Sequence, residues 1–327
     1  MPTLLVTRRM SPELAERVRA SVEGRAFRGG RARLGLRSAL RFATAFALVA
    51  AVVSIAVAYS RARRALETRR AELLQHHVEE SRDLTPEELG ATSRVLGWLP
   101  ALGGAYTGDL LDDELRAPGA FLARVAEPVL YFRAALPSLA GRVEESAAQS
   151  YLDAFALCLK APPASRTERE LRAKARAAVN GRAATALGAE RLHDLLVGLP
   201  LLGPDWAARV RAADSMPKLD ALARDFERAP RARAKAGARA RYLWIVVDEP
   251  NHEPGPTELD GERPHDVRVG LVDLRLKRLL LRLRRRVDPA WISAPARAEL
   301  ASGIDSCALA WDVHRAAEGA AKLSVTE

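Results

Sequence analysis

Between Arg41 and Arg61 lies a run without a single charge, Phe42–Ser60, reading FATAFALVAAVVSIAVAYS. No other feature restricts so strongly what this chain can fold into. As a helix, Phe42–Tyr59 would extend roughly 27 Å at ~1.5 Å per residue, close to the ~30 Å hydrocarbon thickness of a bilayer. Thr44 and Ser54 can return their hydroxyls to the preceding turn, so neither spoils the span. Arg41 and Arg61 stand where long cationic side chains reach headgroups, and Phe42 and Tyr59 stand at interfacial depth. A buried core helix is rarely apolar all round with Arg packed at both ends. A cleaved signal peptide is disfavoured despite Ala56-Val57-Ala58, because both the leader and its apolar core are too long. The expectation is one transmembrane helix, uncleaved.

Orientation follows from charge. Within twenty residues of each end the basic residues nearly balance: Arg25, Arg28, Arg31, Arg33, Arg37 and Arg41 against Arg61, Arg63, Arg64, Arg69 and Arg70. The whole tail decides, since residues 1–41 carry ten Arg against three Asp or Glu. Exporting that short segment is unfavourable, whereas a long C-terminal domain crosses largely regardless of charge. The sequence therefore predicts a single-pass protein of the bacterial inner (cytoplasmic) membrane, N-terminus inside and C-terminal domain outside the cytoplasm.

The same count weakens a nucleic-acid reading. Of the net charge of +10, the tail holds +7, leaving +3 for all that follows. Moreover, 45 of the 51 basic residues are Arg, a bias of GC-rich bacterial genomes that lowers the meaning of any one Arg. The partners expected are the lipid bilayer and another envelope protein or anionic surface, and not nucleic acid.

Along the chain, the sequence predicts mainly α structure with a small α+β C-terminal unit. Residues 1–38 form a basic tail with a helix start at Ser11-Pro12-Glu13; 39–60 form the transmembrane helix; 61–82 form a helical, solvated stalk bearing His76 and His77. A helical extracytoplasmic domain is expected over 83–241, opened by the capping box Thr85-Pro86-Glu87-Glu88. Within it, Phe121–Leu139 reads as helix broken at Pro128 and Pro137, Glu144–Leu159 as a helix with Tyr151, Phe155 and Cys158 on one stripe, and Leu187–Leu199 as another helix. Residues 242–320 read as a three-stranded antiparallel meander plus a C-terminal helix, with 321–327 as tail. The strands are YLWIVVD from Tyr242, DVRVGLVDL from Asp266 and LLLRLRRRV from Leu279. Leu276, Leu279, Leu283 and Val287 also fit a helical stripe, so a basic amphipathic helix over 274–287 competes with the third strand.

Chemical motifs are scarce. There is no GxSxG, GxxxxGK[ST] or HExxH, and the Gly-rich 103–108 lies between helices. No catalytic residue and no cofactor are expected. The loop from Asp248 to Asp266 gathers carboxylates with His252 and His265, making Asp248, His252 and His265 the candidates for a divalent cation, in no named ligand spacing. Arg282, Arg284, Arg285 and Arg286 lead the candidates for anion binding, against a bland reading as the solvent face of a one-sided sheet. Cys158 and Cys307 fall on apolar helical stripes and allow one disulfide or two buried thiols.

The function expected is binding, scaffolding or sensing by an extracytoplasmic domain. The alternatives are an extracytoplasmic metal-dependent enzyme using the 248–266 loop, or a polyanion- or nucleic-acid-binding module using the 275–286 Arg cluster.

Overall fold

The computed structural model describes residues 36–117, 119–150, 154–179, 188–249 and 263–323, together with positions 12, 13, 16, 17, 19 and 20, which are helical. His252, Tyr151 and the rest of the loop after Glu249 lie outside the described residues. The chain forms two compact units, Met1–Glu67 and Thr68–Glu327.

In the first unit the helix that begins at Leu36 carries the apolar run. The helix Arg41–Ser81 is long and apolar enough to cross a membrane, and none of its most apolar window is buried. Thr44 Oγ1 donates to the Arg41 carbonyl at 2.9 Å, so that hydroxyl is satisfied within the helix. Phe46, Leu48, Val52 and Ile55 all stand exposed, as a lipid-facing surface requires.

The second unit departs from the expected solvated stalk. Leu73 and His77 are buried, and Arg70 donates to the Ala213 carbonyl at 2.7 Å. His77 stacks on Trp206 with ring centres 5.2 Å apart, and Trp206 meets Phe226 at 4.5 Å. The helices Pro204–Ala212 and Met216–Arg228 supply those aromatics. The few apolar positions of the stalk are thus enough to seat it. The Thr85 capping box forms as its sequence requires, with the Glu88 N–H donating to Thr85 Oγ1 and the Thr85 N–H to Glu88.

The expected three-stranded meander is only half of a larger sheet. Its strands are β1 (Leu110–Leu111), β2 (Val129–Ala135), β3 (Ala189–Arg191), β4 (Tyr242–Glu249), β5 (His265–Asp273) and β6 (Arg278–Val287), in the order β1-β6-β5-β4-β2-β3. β4, β5 and β6 pair antiparallel as a meander, but β2 and β3 add parallel to β4, and β1 closes the other edge. The sheet is therefore mixed, and strands from either side of residue 242 share it. Val129–Ala135 is apolar at nearly every position because both its faces are buried. Such a strand shows no alternation and reads as easily as helix between two prolines. Leu187–Leu199 likewise resolves into β3 and the shorter helix Leu192–Gly198, and Arg278–Val287 is strand, not amphipathic helix.

Helices cover both faces, which overturns the one-sided sheet. On one face, Val129, Tyr131, Tyr242, Trp244, Val246, Val267 and Val269 pack against Phe121, Phe155, Leu171 and the Ile304–Val313 stretch of the C-terminal helix Ala294–Leu323. On the other, Leu130, Phe132, Leu243, Ile245 and Val247 pack against Val95, Leu99, Leu102, Leu195 and Ala234. On this second face Gly270 makes room for Leu102, whose Cδ1 would lie 2.3 Å from an added Cβ.

Candidate functional site

Strand alternation builds the site. Val129 and Tyr131 point to the C-terminal-helix face of β2; Tyr242, Trp244 and Val246 do so on β4; Val267 and Val269 do so on β5. Continuing each strand by its own period of two brings Arg133, Asp248 and His265 onto that face at one end of the sheet. β2 and β4 are parallel and both finish there, the end at which open α/β sheets tend to place ligands. The C-terminal helix lays Asp305 and Ser306 over it.

The resulting cluster is buried and closely bonded. Arg133, Asp248, His265, Asp305, Ser306 and Ser150 are all buried. Arg133 grips Asp248 with two prongs, Nε to Oδ2 at 3.0 Å and Nη2 to Oδ1 at 2.8 Å. Its Nη1 donates to Ser306 Oγ at 2.7 Å, and its backbone N–H to Ser150 Oγ at 2.9 Å. Asp248 Oδ1 lies 3.0 Å from His265 Nε2, and His265 Nδ1 lies 2.8 Å from the Arg263 carbonyl.

Both partners of the His265 ring are acceptors, an arrangement that favours the protonated ring with both nitrogens donating. Burial pulls its pKa down, but the Asp248 carboxylate and the Arg263 carbonyl outweigh that and raise it. Burial likewise pushes the Asp248 carboxyl up, while Arg133 and His265 bring it net below its ordinary value. Ser306 Oγ accepts from the Arg133 guanidinium, and Arg133, Asp248 and His265 are partners of one another.

Asp305 is the exception. Its Oδ2 is buried without a hydrogen-bond partner. Burial pushes this carboxyl up to about 7, with Asp288 adding to the shift and His265, Arg133 and Arg166 opposing it.

Among the cation candidates, the structure brings Asp248 and His265 together, as partners of each other and of Arg133. Among the described residues no group of three or more His, Cys, Asp or Glu is placed to hold a metal ion. The anion candidates lie at the same end of the sheet. Arg284 meets Glu249 at 2.5 Å and Asp266 at 3.0 Å, Arg285 meets Asp109 at 2.7 Å, and Arg286 meets Asp266 at 3.6 Å. Arg282 donates to the Gly108 carbonyl at 3.0 Å and to Thr107 Oγ1 at 2.5 Å. The Tyr106 ring faces Arg268, Arg282 and Arg284, each guanidinium 5.6 Å from its centre. Arg282, Arg284 and Arg285 thus hold the 106–109 segment against β6, and Arg284 and Arg286 meet the Asp266 carboxylate. A depression of about 330 Å³ is lined by Glu80 and by Ala229–Arg233, none of which belongs to the cluster.

Cys158 and Cys307 are brought into disulfide geometry, with Cα atoms 5.2 Å apart and both residues fully buried. The link joins the helix Ala154–Lys160 to the C-terminal helix one residue after Ser306.

Sequence reasoning passed over Arg133, Asp305 and Ser306. A signal was there: Arg133 is the one charge in VLYFRAA, and Asp305 sits between Ile304 and Cys307 on an otherwise apolar stripe. A lone charge in such a setting implies a buried partner elsewhere in the chain. Comparison with protein-family models, with curated proteins and with solved structures finds no match to this chain.

Proposed function

We infer that the chain is a single-pass protein of the bacterial inner membrane whose C-terminal domain, outside the cytoplasm, binds, scaffolds or senses and does not catalyse. One observation carries the topology: two cysteines 149 residues apart in sequence meet in a buried position with bonding geometry. Disulfides form and persist in oxidising compartments and are rare where thiols are kept reduced, so a domain arranged around one belongs outside. The Arg-rich tail before the span supports the same orientation.

The non-catalytic part of the reading rests on chemistry. Arg133, Asp248, His265 and Ser306 are engaged with one another, and a buried ion pair of this kind can fix the relation of two elements. Here it ties the C-terminal helix to the ends of β2, β4 and β5.

A C-terminal fusion to a reporter active only outside the cytoplasm tests the topology, with activity expected. Thiol titration of the denatured, unreduced protein is expected to find no free thiol. A reporter active only in the cytoplasm, or two free thiols, would remove the basis of the proposal.

A further inference from the structure

The charges at this end of the sheet leave one position open. Arg133 and His265 are two cations sharing a single anion, Asp248, and the carboxyl of Asp305 lies among them with one oxygen that no donor reaches. Ionised, Asp305 would balance the two cations, but as a buried carboxylate with one oxygen that no protein donor reaches. Protonated, it avoids that cost and leaves the cluster with one excess positive charge. Burial and Asp288 favour the acid while His265, Arg133 and Arg166 favour the carboxylate, and this opposition leaves the carboxyl pushed up to about 7.

We propose that Arg133, Asp248, His265 and Asp305 form a proton-exchanging unit through which the pH of the surrounding medium sets how firmly the C-terminal helix is held on the sheet. The exchange is a property of the fold alone; only the identification of that medium with the space outside the cytoplasm rests on the topology inferred above.

The charged groups that act on Asp305 come from four places around it: His265 on β5, Arg133 on β2, Arg166 ahead of the helix Glu168–Val179, and Asp288 just after β6. Deprotonation breaks the carboxyl O–H bond and passes the proton to water. The new carboxylate is a buried charge whose Oδ2 has no donor, so holding it against the sheet costs more than holding the acid. Its neighbour Ser306 accepts from Arg133, the bridge between helix and sheet, so that cost falls at their contact. The link from Cys307 to Cys158 confines the response to a local loosening of one turn. With a carboxyl raised from 3.8 to about 7, the folded state binds the proton more tightly than the unfolded chain. The associated stability is complete below the lower value, falls as pH rises between the two, and stays at its minimum above the higher one.

The full chain in detergent micelles serves for the test, as wild type and as Asp305→Asn. Infrared difference spectra of the wild type are expected to show a protonated carboxyl C=O stretch at about pH 6 that disappears around neutrality and is missing from D305N. Relative to D305N, the wild-type unfolding constant is expected to rise by up to about tenfold per pH unit across the interval between the two pKa values. Amide exchange around Ser306, corrected for its intrinsic pH dependence, is expected to quicken with pH in the wild type only. Absence of the carboxyl band from wild type at about pH 6 overturns the proposal whatever the fate of the variant. The same band in D305N, or parallel stability profiles for the two proteins, overturns it too.

Discussion

His77 and His265 are both buried, yet their surroundings drive protonation in opposite directions. His77 stacks on Trp206, and its Nε2 lies 3.1 Å from the Gly203 carbonyl. Burial dominates there and lowers its pKa, aided by Arg211, although the backbone carbonyls resist. His265 pays a similar burial penalty but gains a carboxylate, and it ends raised. The lesson concerns the partner more than the depth. An aromatic neighbour makes the ring a flat apolar surface with one donor, which serves docking; a carboxylate makes it a fixed cation, which serves a charge network.

The largest effect that sharpens this contrast is expected from Arg133→Met. It leaves the Asp248 carboxylate with His265 alone and Ser306 without its donor. Removing one member of a buried ion pair costs about 3–5 kcal/mol, readable as a fall in the urea midpoint. A loss below about 1 kcal/mol would show the cluster to be solvated and the contrast empty. His265→Gln comes next. Asp248 keeps Arg133, so about 1.5–3 kcal/mol is expected, the range for hydrogen bonds to charged groups. The raised pKa adds a sign: the stability His265 supplies is complete below 6.5 and is lost as pH rises through its higher folded value. H265Q should therefore differ from wild type most on the acid side and least on the alkaline side.

The smallest effect is expected from His77→Phe, which keeps the ring against Trp206 and gives up one hydrogen bond, about 1 kcal/mol near neutral pH. Its pH dependence should run the opposite way. For wild-type His77 with a lowered pKa, stability is complete above 6.5 and is lost as pH falls through the folded value. H77F should then lose less than wild type on acidification. Should the two variants show the same pH sense, the distinction between the two histidines fails.

How much of this could be read in the chain depended on how local each signal was. The capping box at Thr85, the apolar run before Arg61 and the three meander strands are each written in consecutive residues. β2 was not, because a strand buried on both faces loses its alternation, and β3, at three residues, is too short to show a pattern. For the cluster, Asp248 and His265 drew notice as members of one acidic loop. Their true partners were invisible for a physical reason: Arg133 lies 115 residues from Asp248 and 173 from Ser306, and only tertiary folding brings them together. The same distance hid the neutralisation of the β6 arginines. Asp109, which answers Arg285, is 176 positions away.

The pairing of Leu110 with Arg282, and of β2 with β4, has a consequence for the order of events during synthesis. A chain made from its N-terminus presents the anchor first and the partner of β2 only after another hundred residues. Until Tyr242–Glu249 emerges, Val129–Ala135 is an apolar segment whose one earlier partner strand is the short β3. Sheets closed by such distant contacts form late and slowly, because the intervening loop must be ordered before any bond rewards it. A fragment ending at residue 241 should therefore stay soluble only with a chaperone. The wide spacing of its strands leaves most of the sheet unformed until Tyr242–Val287 has been made.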